Sequence, residues 1–278
     1  MTATPLASVL YQDPGPRTRR RIILFTWVSA LVLVVLAAYI VYRFYALGQL
    51  DGRYWSFFAR VSTWKFLGQG ILGTLEISVV AGLCGALFGF LLMLAKLSSA
   101  LVLRVVSTAL INFTRGVPTL LFIYFFFLVL PTLGVSLPAL VNISLPVAIS
   151  AAGVIAELLR SGVNAVPSGQ HEAAVSLGMS EHRTFFKIVL PQALRSITPA
   201  LISELVIVVK DSTFAYIVSF PDLMQNSKVL ISNYDALLPV YLVAAVIYIL
   251  INYALNQLST YVSRRKRRGQ HKEMIWQS

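Results

Sequence analysis

The stretch GQHEAAVSLGMSEHRTFFKIVLP, residues 169–191, interrupts a chain of 278 residues that is otherwise strongly apolar. Its charged, histidine and amide side chains are too polar for lipid, so it is expected to lie outside a membrane. It also contains helix formers and regularly spaced apolar residues, which a passive connection would not need. The function of this stretch therefore has to be inferred from the chain around it.

The overall composition indicates a membrane protein. Hydrophobic residues make up 57% of the chain and charged residues only 12%, and the mean hydropathy is +0.76. A soluble domain with a charged surface does not have this composition. Several apolar runs reach the roughly 20 residues that a bilayer-spanning helix needs, and in lipid each helix must satisfy its own backbone. We therefore expect an all-α polytopic membrane protein.

Six apolar runs predict six transmembrane helices. A basic tail at 1–21 precedes the first span at 22–45, whose length favours an uncleaved helix over a secretory signal. Residues 46–67 are rich in Trp and Phe, which is typical of an extracytoplasmic interfacial segment. Residues 68–262 hold five further spans, and 263–278 form a second basic tail. The five spans are expected at about 70–96, 105–130, 144–163, 194–216 and 237–262.

The distribution of Lys and Arg predicts the orientation. These residues are concentrated in the two tails, between the second and third spans, and around the stretch at 169–191. The positive-inside rule then places both termini and this stretch in the cytoplasm. The formal net charge of +12 follows from residues that flank apolar segments, so no nucleic-acid partner is expected.

The sequence contains no recognisable catalytic or metal-binding set. Cys84 is the single cysteine, and His171, His182 and His271 all lie outside the expected spans. An intramembrane enzyme or a cysteine-rich metal site is therefore not expected. No G-x-x-x-x-G-K-[ST] loop is present either, so a process driven by ATP would need another subunit to bind the nucleotide.

The polar stretch itself predicts two short helices joined by a bend. Ser168 is the expected N-cap of a helix through Leu177, and Gly178 is placed to end that helix in a left-handed conformation. A second helix is expected to begin at Ser180 and run toward Pro191.

One face of the first helix is apolar. Ala173, Ala174 and Leu177 share this face at three- and four-residue spacing, which suits a groove on another protein. The alternative is a loop that packs over its own helical bundle.

These residues resemble the EAA loop of the membrane subunits of bacterial ATP-binding-cassette (ABC) importers. The matching positions are Glu172, Ala173, Ala174, Gly178, Ile188, Leu190 and Pro191. Other segments of 68–262 resemble the polar amino-acid uptake permeases in order and spacing: GTLEIS at 73–78, TRGVP at 114–118, AELLR at 156–160, LPQALR at 190–195 and KDSTF at 210–214. The lead VLYQDPGPRTRRR and the extra first helix look most like the glutamate-uptake permeases of that group.

The resemblance implies a type I importer permease with a five-helix core plus one N-terminal helix, in the inner or plasma membrane of a bacterium. Its EAA loop, at about 164–191, would dock on a cytoplasmic ATPase dimer that binds ATP and Mg, while this chain holds no cofactor. A second permease subunit, a sister permease in preference to a second copy, and an extracytoplasmic amino-acid-binding protein would complete the assembly. The residues implied in ATPase coupling are Glu172, Ala173, Ala174, Leu177, Gly178, Ile188 and Pro191.

The resemblance also implies the cargo, which is expected to be glutamate or a close relative such as glutamine or aspartate. Import of basic amino acids by the same mechanism is the alternative. An ion-coupled secondary transporter is less favoured, because it would not need an EAA loop. A receptor or scaffold would not require one either.

Charged residues within or at the ends of the expected spans are candidates for a pathway or for structural pairs. Each costs about 2.5 to 3.5 kcal/mol near the bilayer centre on insertion scales, so they should face protein or water. Glu157 and Arg160 are three apart and are expected to pair. Arg115 precedes Gly116 and Pro118, where a helix break is expected, and it would cap that break or bind a substrate carboxylate. Lys210 and Asp211 would lock the fifth span or line the pathway. The full set is Glu76, Arg115, Glu157, Arg160, Glu204, Lys210 and Asp211.

Three positions depart from the family pattern. Gly153 and Val154 stand where Ala and Tyr are frequent, and Ser203 stands where Asn is frequent. A substrate pocket inside the spans is therefore not implied by the resemblance.

Overall fold

A computed structural model describes residues 15–275, with the side chains of 259 and 262–275 excepted. Every regular element in that range is helical, which confirms the all-α class. Residues 1–14 of the expected N-terminal tail and the last three residues lie outside the described range. The chain divides into two compact units, Met1–Ser56 and Phe57–Ser278.

The first unit is dominated by one long helix, α1 (Pro16–Ala46). Pro16 occupies the first helical turn, where its missing N–H costs nothing and its fixed φ favours the helix. The helix begins six residues before the expected span at 22–45, so the arginines of the basic tail lie in its first turns. None of the residues of α1 is buried.

The second unit contains ten α-helices among the described residues. They are α2 (Val61–Leu97), α3 (Leu101–Gly116), α4 (Thr119–Tyr124), α5 (Leu130–Thr132), α6 (Ala139–Asn164), α7 (Ser168–Ser176), α8 (Glu181–Thr184), α9 (Leu190–Asp211), α10 (Leu223–Tyr234) and α11 (Leu237–Ile275). Helix α2 begins inside the expected interfacial segment 46–67, and α11 continues into the expected C-terminal tail. A 3₁₀ segment, Ser212–Val218, follows α9.

Four described helices are long and apolar enough to cross a membrane: α1, α2, α6 and residues 237–258 of α11. Helices α3 and α4–α5 qualify only as a pair, bent by 98° at the break between them. Pro118 lies at this break; it has no N–H to donate and disfavours helical backbone at Val117. The span expected at 105–130 thus consists of two helices that qualify only together, and the helix break expected near Pro118 is confirmed. Helix α9, which corresponds to the expected fifth span, is not among the qualifying helices.

Helix α6 lies at the centre of the second unit. It packs on α2, α3, α4 and α9, and its small residues permit close approach of the backbones. A Cβ on Gly85 of α2 would lie 3.2 Å from the Ala148 carbonyl oxygen, and one on Gly89 would lie 2.8 Å from that of Ala152. Gly85 and Gly89 are the ends of the segment GALFG at 85–89. The small residues of this segment therefore serve packing between α2 and α6, as is usual for helices in lipid.

Two π-helical turns, Phe125–Val129 and Phe185–Val189, each precede a Leu-Pro pair. Leu190 donates its N–H to the Phe185 carbonyl five residues back. Pro191 could not donate to the carbonyl four residues back, and its ring would clash there in a regular helix. The π turn absorbs this defect, so the chain continues from α8 into α9 without a break.

Candidate functional site

The candidate site begins with residues 165–191, which we call the coupling loop; they follow α6 and include the first two residues of α9. Helix α7 begins after Pro167, which occupies the N-cap position expected for Ser168, and no side chain caps it. Gly178 has φ +81°; it donates its N–H to the Val175 carbonyl at 2.9 Å, and Met179 donates to the Ala174 carbonyl at 3.1 Å. These two bonds form a Schellman motif, which requires a left-handed residue at the position of Gly178.

The second half of the coupling loop differs from the expected short helix. Helix α8 begins after Ser180, in agreement with the sequence. It does not stop at Pro191, because the π turn described above joins it to α9. The loop therefore has a sharp bend on one side and a continuous helical connection on the other.

The predicted coupling residues are not equally accessible. Glu172 and Ala173 are exposed, and the Leu177 side chain is 85% exposed, which is unusual for a leucine. Ala174 is only 5% exposed, so it packs against its own chain and departs from the expected apolar face. Ala173 and Leu177, four residues apart, keep a common exposed side of the helix.

Two further residues of the predicted set lie at the junction with α9. Ile188 is half-buried within the π turn, and Pro191 is exposed. Both are part of the connection to α9 and not of the exposed side formed by Ala173 and Leu177.

Side-chain pairs across the coupling loop were missed by the sequence reasoning. His171 Nε2 lies 2.7 Å from Glu181 Oε2, which joins α7 to α8. Gln192 donates its amide N–H to Gln170 Oε1 at 3.3 Å, which joins α7 to α9. The bend at Gly178 brings these residues together, and the only signal in the sequence was their complementary chemistry on either side of it.

A cluster of three charges joins α2 to α6. Arg160 Nε donates to Glu157 Oε2 at 2.9 Å, which confirms the expected pair. Lys96, at the end of α2, donates to the other carboxylate oxygen of Glu157. Both oxygens of Glu157 are therefore engaged by cations, and the cluster carries one more positive than negative charge.

Asp211 lies in a polar group at the helix break. Thr119 Oγ1 donates to Asp211 Oδ2 at 2.9 Å and lies 2.9 Å from Ser150 Oγ. Because the single hydroxyl hydrogen of Thr119 is used on Asp211, Ser150 is the donor in the second contact. This group joins α4, α6 and α9.

The other charges of the expected set are not brought into these groups. Arg115 and Lys210 are exposed, and neither makes an ion pair with another residue of the described part of the chain. Glu204 is 5% exposed and has no hydrogen-bond partner within residues 15–275. Asp211 and Lys210, although adjacent, therefore have separate environments.

Two of the three departures from the family pattern, Gly153 and Ser203, have local explanations. A Cβ on Gly153 would lie 2.2 Å from Thr114 Oγ1 and 3.0 Å from Arg115 Cγ, so the contact between α3 and α6 admits only glycine. Ser203 is exposed and donates to the Pro199 carbonyl at 3.0 Å, within its own helix. Among the described residues no group of three or more His, Cys, Asp or Glu is arranged to hold a metal ion.

Comparison with known proteins relates this architecture to transport systems. A family model described as binding-protein-dependent transport system inner membrane component matches residues 85–268. A glutamate transport system permease protein of Corynebacterium glutamicum is 32% identical over 232 residues, covering 82% of this chain and 85% of the relative. A probable glutamine ABC transporter permease protein of Bacillus subtilis is 31% identical, covering 69% of this chain and 89% of the relative.

Solved structures have the same arrangement of helices. A chain of an amino acid ABC transporter crystallised with histidines has a TM-score of 0.70 and 29% identity, over 75% of this chain and 98% of that one. A chain of an inward-facing methionine ABC transporter has a TM-score of 0.58 and 22% identity, over 73% of this chain. The second likeness concerns the fold alone.

Proposed function

The chain belongs to the family of binding-protein-dependent transport system inner membrane components, and on that basis we propose that it is the permease subunit of an ATP-driven importer of a polar amino acid. It forms part of the translocation pathway and catalyses no reaction. ATP and Mg are bound by a separate cytoplasmic ATPase dimer, and a loaded extracytoplasmic binding protein supplies the cargo. Alternating access of the pathway follows closure of the ATPase pair.

The observation that carries this proposal is the geometry of the coupling loop. Leu177, at the glycine-capped end of α7, is 85% exposed and so makes little apolar contact with its own chain. Such a side chain is suited to a cleft on another protein. Glu172 is exposed five residues before Leu177, about 140° from it around the helix, and supplies a polar contact at the rim. The sequence holds no phosphate-binding loop of the G-x-x-x-x-G-K-[ST] type, so the nucleotide would be bound by a partner ATPase. Docking of that ATPase gives the exposed Leu177 and Glu172 a function.

We further propose six crossings with both termini in the cytoplasm. Four qualifying helices and one bent pair support five of these, and α9 supplies the sixth by continuing from the cytoplasmic coupling loop. The distribution of Lys and Arg supports this orientation. A pathway between subunits needs a second permease, for which we favour a sister chain over a second copy.

The cargo proposed is glutamate or a close relative. Support comes from the names of the relatives, which include permeases for glutamate and for glutamine and a glutamate/aspartate import permease of Escherichia coli at 27% identity. The structural neighbour crystallised with histidines supports basic amino acids as the second candidate.

The coupling role is tested by replacing exposed residues in reconstituted complexes with the ATPase and binding protein. Leu177→Ser and Glu172→Lys are expected to leave ATP hydrolysis by the ATPase subunits measurable but to abolish its link to uptake. Val175→Ser is the matched control for Leu177→Ser, because Val175 is also exposed and projects about 200° from Leu177 around the helix. Full uptake in both test variants would refute the coupling role.

The cargo is tested by competition in the same reconstituted system. Uptake of labelled glutamate is measured with an excess of unlabelled glutamine, aspartate, arginine or histidine. Competition by glutamine or aspartate supports the proposal. Competition by arginine or histidine alone would transfer the assignment to basic amino acids, and uptake that survives removal of ATP but not of an ion gradient would refute the ABC mechanism.

A further inference from the structure

A cavity between α2 and residues 220–226 is separate from the coupling loop and the charge cluster. Its volume is about 330 Å³, within the ~300 to 1,000 Å³ typical of small-molecule sites. Residues 66–76 of α2 form one wall, and the opposite wall is the connection before α10 with the first turn of that helix. The lining residues are Phe66, Gln69, Leu72, Gly73, Glu76, Phe220, Pro221 and Asn226.

The walls of the cavity are fixed by close contacts and hydrogen bonds. A Cβ on Gly73 would lie 2.3 Å from the Pro221 carbonyl oxygen, so only glycine lets the two walls approach this closely. Leu223 donates its N–H to Thr74 Oγ1 at 3.1 Å, and Asn226 donates its side-chain amide to the Phe66 carbonyl at 2.7 Å. The cavity is therefore a preorganised feature of this junction.

Two polar side chains of the lining have no partner within the described residues. Gln69 and Glu76 are both exposed and make no hydrogen bond or ion pair with any residue of 15–275, so both are available to a ligand. They are seven residues apart, so they lie on the same face of α2, about 10 Å apart along its axis. The uncharged part of α2 begins directly after Glu76 and ends before Lys96, a length that matches the bilayer core. Glu76 thus lies at the edge of the hydrocarbon region, where water and a polar ligand have access.

The chemistry of this lining matches a free amino acid. A carboxylate accepts hydrogen bonds from an ammonium group, and the amide of Gln69 can donate to a carboxylate. Phe66 and Phe220 add aromatic rings, which attract a cation over their faces, and Leu72 offers an apolar wall. A purely anionic ligand would be repelled by Glu76, and a purely apolar one would leave both polar groups unsatisfied.

We propose that this cavity is a binding site for a zwitterionic amino acid, with Glu76 binding the ammonium group and Gln69 the carboxylate. The choice of an amino acid rests on the transport function proposed above. The site would receive cargo at the edge of the membrane opposite the coupling loop. It is distinct from the charge groups at Glu157 and Asp211.

The test measures direct binding to the complex of permease and ATPase in lipid nanodiscs, without the binding protein. Labelled glutamine and glutamate are the probes, and N-acetylglutamine is the matched probe that lacks an ammonium group. Glu76→Gln is expected to weaken binding about ten- to a hundredfold, as expected for a lost charge-assisted hydrogen bond, and Glu76→Asp by less. Asp235→Asn is the control variant, because it removes an exposed carboxylate outside the cavity. N-acetylglutamine should bind about tenfold or more weakly than glutamine to the wild-type complex.

The outcomes separate this inference from the transport function. Equal binding by Glu76→Gln and wild type, or no binding of either probe by the wild-type complex, overturns the site while ATP-driven uptake with the binding protein can still proceed. Efficient cross-linking of a cysteine at position 76 to a second permease chain also overturns it, because the cavity would then be covered by a subunit. Loss of ATP-driven uptake by the wild-type system would instead refute the transport function.

Discussion

The charge cluster of Lys96, Glu157 and Arg160 permits a quantitative prediction about stability. Glu157 is 18% exposed, and the side chains of its two cations are 19% and 35% exposed. Removing one partner from a fully buried ion pair costs about 3 to 5 kcal/mol. Partial exposure of all three groups reduces this, so Glu157→Gln is expected to cost about 2 to 3 kcal/mol of unfolding free energy.

Lys96→Met should cost less than Glu157→Gln, about 1 to 2 kcal/mol, because Arg160 still compensates the carboxylate. Combining the two changes should cost less than their sum, with a coupling energy of about 1 kcal/mol or more. Unfolding free energies from SDS titration in mixed micelles provide the four values of this cycle. Additive effects within about 0.3 kcal/mol would refute the direct pair between Lys96 and Glu157.

A third variant separates structural from pathway roles of the cluster. Replacing Lys96, Glu157 and Arg160 together by Met removes the charges and their desolvation cost, so stability near that of the wild type is expected. ATP-driven uptake that persists in this variant assigns the cluster a structural role. A stable variant that hydrolyses ATP but no longer transports would assign it to the pathway.

Three further changes have expected outcomes. Gly73→Ala should destabilise the protein by about 1 to 3 kcal/mol, because its Cβ would meet the Pro221 carbonyl. Gly68→Ala is the control in the same helix, because a Cβ there has open space; it should leave the melting temperature unchanged or raise it. Gly178→Ala should cost about 1 to 2 kcal/mol through its positive φ alone, which calorimetry of the complex can measure; an unchanged melting temperature would contradict this. Burial raises the pKa of Asp222, which lies between the spans, to about 6. The folded state therefore binds this proton more tightly than the unfolded state, so stability should fall as pH rises from about 4 to 6. Melting curves of Asp222→Asn should lack this pH dependence.

Features that follow from local rules were predictable from the sequence. The left-handed cap at Gly178, the break at Pro118 and the pair of Glu157 with Arg160 each depend on residues within a few positions of one another. Backbone conformation and helical spacing determine such features before the chain packs. The close packing of the GALFG segment was predictable for a similar reason, since small residues at a spacing of four mark a contact face.

Features that depend on packing could not be read from the sequence. Lys96 and Glu157 are 61 residues apart, and Thr119 and Asp211 are 92 apart, so no local spacing indicates either contact. Ala174 belongs to an apolar pattern, and such a pattern does not indicate whether the chain itself or another protein covers that face of the helix. The π turn before Pro191 was missed because proline usually ends a helix, and only the continued helix shows that an extra residue in one turn can accommodate it.

The continuity of α8 and α9 has a mechanical consequence for the proposed coupling. Residues 181–211 form one helical connection, about 45 Å long if straight, from the exposed coupling loop to the polar group around Asp211. This connection contains the π turn and an internal proline, Pro199, and both interrupt the regular ladder of backbone hydrogen bonds. A displacement of the loop by an ATPase would therefore reach Asp211 through one helical connection that can bend at two points. Thr119, which donates to Asp211, lies directly after the break at Pro118. Helix α9, which receives the motion, thus ends against α4, the helix that begins directly after the break. A change of conformation at this break disrupts the fewest helical hydrogen bonds, because the backbone is already interrupted there.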